Sequence, residues 1–156
     1  MSKHNHIASL FRLDGKVALI SGASKGIGEA MARGLAEFGA RVVLSSRKQD
    51  AVDEVASGFR DAGLDAHAIA ANMGNPEDIR ALVDKTLELC GGIDIVINNA
   101  AANPVFGPLQ NTEPGAYDKI MDVNLRGPFE LCKLAHPVMQ ARGGGSIIHI
   151  LSLIHI

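Results

Sequence analysis

The chain has 156 residues, 47% hydrophobic and 21% charged, with a formal net charge of −2 and a mean hydropathy of +0.14. That length predicts one domain with a sizeable core, and the apolar share at low net charge excludes a disordered chain. Fifteen Lys and Arg against 17 Asp and Glu leave no broad nucleic-acid patch. Two cysteines are too few for a disulfide framework, and no apolar run approaches the roughly 18 residues of a membrane span.

The opening MSKHNH lacks the apolar core of a secretory signal, so a soluble, cytoplasmic protein of a reducing compartment is expected. Short β-branched runs follow at 16–21 (KVALIS), 41–46 (RVVLSS), 65–71 (DAHAIAA), 93–98 (IDIVIN) and 146–150 (SIIHI), separated by segments long enough for crossover helices. Repeated βαβ units predict a parallel sheet covered on both faces. The first helix is expected to turn Ile27, Ala30, Met31, Leu35 and Phe38 inward and to stop at Gly39. A second fits 50–62, ended by Gly63. The third opens on Asn75 as cap and Pro76 in the first turn, then Glu77 and Asp78, which offset the positive helix end. Ile79, Leu82, Val83, Thr86 and Cys90 mark its buried side. A loop rich in Pro, Gly and Asn spans 99–114, a long helix runs to about Gln140, and 143–145 leads into the fifth strand. Cys90 and Cys132 both fit helix-packing positions. No linker divides the chain.

The first strand runs straight into Ser21-Gly22-Ala23-Ser24-Lys25-Gly26-Ile27-Gly28. The G-x-x-x-G-x-G spacing between a strand and a helix lets backbone approach a pyrophosphate on the positive helix end. A carboxylate at the end of the second strand would bond a ribose 2′-OH and favour NAD(H). Here Ser46 is followed by Arg47 and Lys48, with no acid until Asp50. Arg47 can stack on adenine and grip a 2′-phosphate, and Lys25 adds charge, so NADP(H) is favoured. Further on, Tyr117, Ile120, Met121 and Asn124 fall on one helical face at i, i+3, i+4 and i+7, which places the Asn124 amide on the side expected to face the sheet. Pro128 lacks the N–H that would bond the Asn124 carbonyl, so a kink with a free acceptor is expected there, eased by Gly127. Six histidines include no H-E-x-x-H, and no Cys-x-x-Cys occurs, so no metal site is expected, nor a nucleophile elbow.

With these residues in place, the chain resembles a classical short-chain dehydrogenase/reductase from Leu13 to about Ile150. The likeness rests on Ser21–Gly28, on Asn98-Asn99-Ala100-Ala101 for the family's Asn-Asn-Ala-Gly, and on Asn124 within Val123-Asn124-Leu125. The loop 101–107 is similar to that of the carbonyl-reductase branch containing the peroxisomal-type retinal reductases. Ala101 departs from the family's glycine, and Asn72-Met73 stands where Asp-Val is commoner at the adenine. The resemblance implies a Rossmann-type doubly wound sheet in the order 3-2-1-4-5. It implies cofactor contacts from Gly22, Ser24, Lys25, Gly26, Ile27, Gly28, Ser46, Arg47, Asn72 and Met73. Asn98 and Ala100 would contribute through their backbone, while Asn99 would pin neighbouring strands.

The family interconverts alcohols and carbonyls by hydride transfer, with a Tyr-x-x-x-Lys pair, a serine and a helix asparagine, here Asn124, whose main chain holds a relay water. This chain has one tyrosine, Tyr117, with Met121 four residues on. Ser152 aligns with the serine, but 151–156 (LSLIHI) is what CTG-TCT-CTT-ATA-CAC-ATC encodes. That resembles the end of a transposase sequencing-library adaptor. The expectation is therefore an incomplete domain over 1–150 with an adaptor-encoded tail, its fifth strand a bare, aggregation-prone edge, and the chain inactive by itself. The parent is expected to be a homo-oligomer acting on a small alcohol or carbonyl. The alternatives are a non-catalytic dinucleotide-binding module and a sugar-nucleotide epimerase-like relative, the latter disfavoured because that branch reads G-x-x-G-x-x-G.

Overall fold

The computed structural model describes residues 9–105 and 107–151. The β-branched runs form β1 (Val17–Ser21), β2 (Arg41–Ser46), β3 (Ala66–Ala70), β4 (Ile95–Asn98) and β5 (Ser146–His149), within two residues of the expected bounds. All four neighbouring pairs are parallel, as the repeated βαβ units predict, and the order is β3-β2-β1-β4-β5, as the resemblance implies. Between them lie α1 (Gly26–Glu37), α2 (Gln49–Asp61), α3 (Pro76–Cys90), α4 (Pro114–Met121) and α5 (Gly127–Ala141).

Strand alternation divides the core in two. Ala18, Ile20, Val42 and Leu44 point to the face covered by α1 and α2, where Phe59, Val52 and Ala56 are fully buried. Leu19, Val43 and Val96 point to the other, against Ile79, Leu82 and Val83 of α3 and Leu131, Ala135 and Met139 of α5. The α3 start follows its expected chemistry: Asn75 Oδ1 accepts from the Glu77 N–H at 2.9 Å, with Pro76 behind it.

Two expectations are corrected. The inward row of α1 is Gly28, Ala32 and Ala36, whereas Ile27 and Phe38 are exposed (66% and 50%) and Met31 and Leu35 pack at the flank. The helix lies so close to the sheet that only small side chains fit beneath it, so the bulky apolar positions do not mark the buried face. The long helix after the 99–114 loop is likewise interrupted. A π segment, Asp122–Arg126, separates α4 from α5, and the Gly127 N–H bonds the Asp122 carbonyl five residues back. Pro128, which has no N–H for the Asn124 carbonyl, sits just beyond it. The extra residue rotates the helical face, and no residue of α4 is buried.

The far end of the sheet is tied by one carboxylate. Asp94, 4% exposed, accepts from the Val17 N–H (2.8 Å) and takes a two-point grip from Arg142 (3.1 and 2.9 Å), with Lys16 at 3.7 Å. Gly92 lets the Arg142 side chain pass, since a Cβ there would lie 2.5 Å from it. One side chain thus joins the start of β1 to the turn entering β5. Among the described residues β5 borders the sheet and all four of its residues are exposed, and no helix is long and apolar enough to cross a membrane.

Burial alone would raise the Asp94 carboxyl, but Arg142, the Val17 N–H and Lys16 together hold it below the ordinary carboxylate range. Its stabilisation is therefore complete above a pH of about 4 and is lost as pH falls through the lowered folded value. Asp94→Ala should cost roughly 3 kcal/mol. Asp94→Asn should flatten the acid limb of stability measured by urea unfolding, and an unchanged limb would count against the network.

Candidate functional site

β1 ends in the buried Ser21 and passes directly into the glycine loop. Ser21 Oγ donates to the Ile97 carbonyl (3.3 Å) and accepts from the main-chain N–H groups of Asn99 and Ala100, each at 3.1 Å. Asn99 Nδ2 donates in return to the carbonyls of Ser21 (3.2 Å) and Gly22 (3.0 Å). The ends of β1 and β4 are stitched together, and the loop is pressed against the stitch. A Cβ on Gly22 would lie 2.9 Å from the Ala100 backbone, and one on Gly28 would lie 2.3 Å from the Gly22 carbonyl oxygen. Gly22 and Gly26 also adopt left-handed φ values of 69° and 62°. No side chain caps α1, so its first N–H groups are left for a ligand or water.

These strand ends border a cleft of about 620 Å³ at the point where the sheet order reverses between β1 and β4. Of the residues singled out from the sequence, Gly22, Ser24, Lys25, Ser46, Arg47, Asn72, Met73 and Ala100 form its wall. Gly26 and Ile27 are exposed at the start of α1, and Gly28 is buried behind Gly22. Asn98 lies away from the cleft. It is 4% exposed, its carbonyl accepts from the Ile150 N–H (2.9 Å) and its Nδ2 donates to Cys132 Sγ at 3.6 Å. Burial pushes the Cys132 thiol up, and that amide offsets part of the rise. Ser152 lies outside the described residues.

Asn124 also departs from expectation. It is exposed rather than turned to the sheet, because the π segment rotates its face. Its side chain takes both main-chain groups of Ala102, accepting from the N–H at 2.7 Å and donating to the carbonyl at 2.9 Å. It therefore holds the loop after β4 from outside the cleft. Tyr117 is exposed and lies outside the cleft wall as well.

Sequence reasoning missed several wall residues. Lys119, Asp122 and Val123 come from α4 and the π segment, whose inward side a 3.6-residue period misassigns. Ser45, 1% exposed, also reaches the wall, and its hydroxyl has no hydrogen-bond partner among the described residues. Charge in the cleft is uneven. Among the described residues Lys25, Arg47 and Lys119 carry no ion pair, whereas Asp122 is held by Arg126, which leaves Asp118 as the wall's unpaired acid. Uncapped helix start, glycine cradle, unpaired cations and the orphaned Ser45 hydroxyl together suit a long phosphate-bearing ligand.

A family model described as short chain dehydrogenase matches residues 16–155. Dehydrogenase/reductase SDR family member 4 of Bos taurus is 44% identical over 141 residues, which are 90% of this chain and 50% of that protein. Two solved structures superpose closely. A metagenomic short-chain oxidoreductase in complex with NADP does so at TM-score 0.86 and 38% identity, covering 90% of this chain and 64% of that one. A gluconate 5-dehydrogenase from Burkholderia cenocepacia J2315, in complex with NADP and tartrate, does so at 0.88 and 38%, covering 96% and 60%. The chain spans about half the length of the curated relatives it matches.

The stitch has a direct test. Ser21→Ala removes the acceptor of two half-buried N–H groups and should cost about 2 kcal/mol. Circular dichroism should register a fall of several degrees in the thermal midpoint, and an unchanged midpoint would show that the N–H groups find other partners.

Proposed function

The chain belongs to the short-chain dehydrogenase family, and from that premise we propose that its cleft binds NADP(H) in preference to NAD(H). On this reading the parent protein interconverts a small alcohol and a carbonyl compound. The observation that carries it is the group of unpaired cations, Lys25, Arg47 and Lys119, around a glycine cradle at the strand-order reversal. When bound, the dinucleotide supplies or accepts a hydride at its nicotinamide.

The residues of this chain bind and orient. The N–H groups of the Gly22–Gly28 loop and the open start of α1 receive the diphosphate, and their partial positive charge is aligned before the ligand arrives. Arg47, following β2 with no carboxylate beside it, takes the 2′-phosphate, with Lys25 as the second cation. Asn72 receives the adenine amino group at its Oδ1, which already accepts from the Gly74 N–H at 3.1 Å and is therefore held in place. Ala100 lines the ribose side, and Asn124 positions Ala102 behind it. With its side chain so engaged, Asn124 has its main chain left for a proton relay of the family kind.

Acid–base catalysis is a separate matter. Tyr117 has Met121 in place of a lysine four residues on, so these 156 residues hold no Tyr-x-x-x-Lys pair. The 156-residue chain is accordingly proposed to bind without turning over. A specific observation thus favours the second reading, a non-catalytic dinucleotide-binding module, for the chain taken alone. The exposed Tyr117, Leu125 and Phe129 along the α4–α5 run support association of copies, and the unpaired Cys90 and Cys132 support a reducing, cytoplasmic setting.

Titration of purified chain, followed by the fluorescence of the reduced nicotinamide, should give tighter binding of NADPH than of NADH. Arg47→Asp should weaken NADPH about tenfold to a hundredfold, as expected for a lost charge-assisted pair of roughly 1.5–3 kcal/mol, and affect NADH far less. Equal losses for both cofactors would sink the assignment of Arg47. With alcohols or carbonyls added, the absorbance of reduced nicotinamide should stay constant, and turnover would refute the binding-only proposal.

A further inference from the structure

The strand-end cleft has one wall that is not built from the sheet. The loop after β3, Asn72-Met73-Gly74, rests on the π segment and the first residue of α5, and two glycines make this approach possible. A Cβ on Gly127 would lie 2.1 Å from the Met73 carbonyl oxygen and 3.1 Å from its carbon, and a Cβ on Gly74 would lie 3.1 Å from Val123 Cγ2. The first contact is with main chain, which has no side-chain rotamer by which to yield. An alanine at position 127 would drive the Met73 carbonyl back by roughly 1 Å.

The π segment holds the opposite wall as well, because Asn124 within it grips both main-chain groups of Ala102. One short irregular stretch thus sets the spacing between the Asn72–Met73 loop and the loop after β4. The Asn72 loop is otherwise held at its two ends, by the Asp78 carboxylate on the Asn72 N–H (2.9 Å) and by the Asn72 carbonyl on the Asn75 N–H (2.9 Å). Its middle has Gly127 beneath it. Met73 is itself 4% exposed, so the loop is seated and does not float free.

We propose that Gly127 and Gly74 are positioning residues for the adenine end of the dinucleotide site: by letting the loop sit directly on the π segment, they fix where Asn72 meets the base. The inference rests on the dinucleotide reading above and adds to it two residues outside the glycine loop. It separates from a merely structural role by which ligands are weakened. If the contact served packing alone, the clash in Gly127→Ala would lower the thermal midpoint and weaken all three probes alike. If the glycine positions the loop, the same change weakens ligands that carry adenine and spares those that reach only the glycine loop.

The experiment uses the whole chain and three probes, namely NADPH by its own fluorescence, and adenosine 2′,5′-bisphosphate and inorganic pyrophosphate by competition. Gly127→Ala should raise the Kd for the adenine-bearing probes about tenfold or more, as a 1 Å misplacement can, with pyrophosphate unchanged. Gly74→Ala should raise it several-fold, and adding Val123→Ala to that variant should restore it, since it removes the methyl the new Cβ meets. Unchanged adenine affinity in Gly127→Ala, or a Gly74→Ala loss that Val123→Ala fails to restore, overturns the proposal. Should Gly127→Ala not fold, the Gly74 and Val123 pair decides it. Absence of NADPH binding by the unaltered chain would instead refute the dinucleotide reading, and this inference with it.

Discussion

Where two parallel strands end side by side and their chains diverge, the ladder leaves main-chain groups that must find new partners or be buried without them. In this protein Ser21 and Asn99 meet that requirement. One hydroxyl and one amide between them satisfy two N–H groups and three carbonyls at the carboxyl ends of β1 and β4. The rest of the site depends on the arrangement. Because the Asn99 amide holds the Gly22 carbonyl, the glycine loop has a fixed path. Because the path is fixed, Gly28 must lack a side chain, and α1 is set down close to the sheet. The uncapped helix start then faces the cleft that the strand-order reversal opens.

The opposite end of the sheet uses the same economy with charge. Asp94 is buried where a carboxylate is ordinarily unwelcome, and it is tolerated because a main-chain N–H and a planar guanidinium occupy its oxygens. The two polar centres, Ser21 with Asn99 and Asp94 with Arg142, bracket an apolar middle in which β1 is buried along its whole length. Each lies where the strand ladder stops supplying partners, so polarity in this core marks strand ends and not strand middles.

The fold was legible because its signals are local and redundant. β-Branched runs, glycine stops after α1 and α2, and the Asn75-Pro76 start of α3 each act within a few residues, and together they admit one topology. The glycine loop was legible for the same reason. Three kinds of information were not. The inward face of α1 consists of Gly28, Ala32 and Ala36, chosen for smallness, so a count of bulky apolar positions pointed to the wrong stripe. The π segment changes the helical period in mid-course, and with it the wall residues Lys119 and Val123 and the true surroundings of Asn124. The resemblance brings the Asn98 backbone to the cofactor, whereas the structure shows that backbone paired with β5 and the side chain buried, neither of which the motif alone announces. Proline at 128 announced that something happens there. It did not specify that the chain would answer with a wider turn.

The register of β1 has a consequence for the order in which the molecule assembles. β1 pairs with β2 across a short crossover, and β2 with β3 across another, so that half of the sheet can form from the first part of the chain. The partner of β1 on its other side is β4, and the amide that secures Ser21 and Gly22 is 77 to 78 positions further along. Closing so long a loop is slow compared with forming a helix or a neighbouring crossover. On a ribosome, which delivers residues from the amino terminus onward, the glycine loop is made before Asn99 and stays unanchored until that residue has emerged. The glycine loop is thus synthesised well before the residue that gives it its shape.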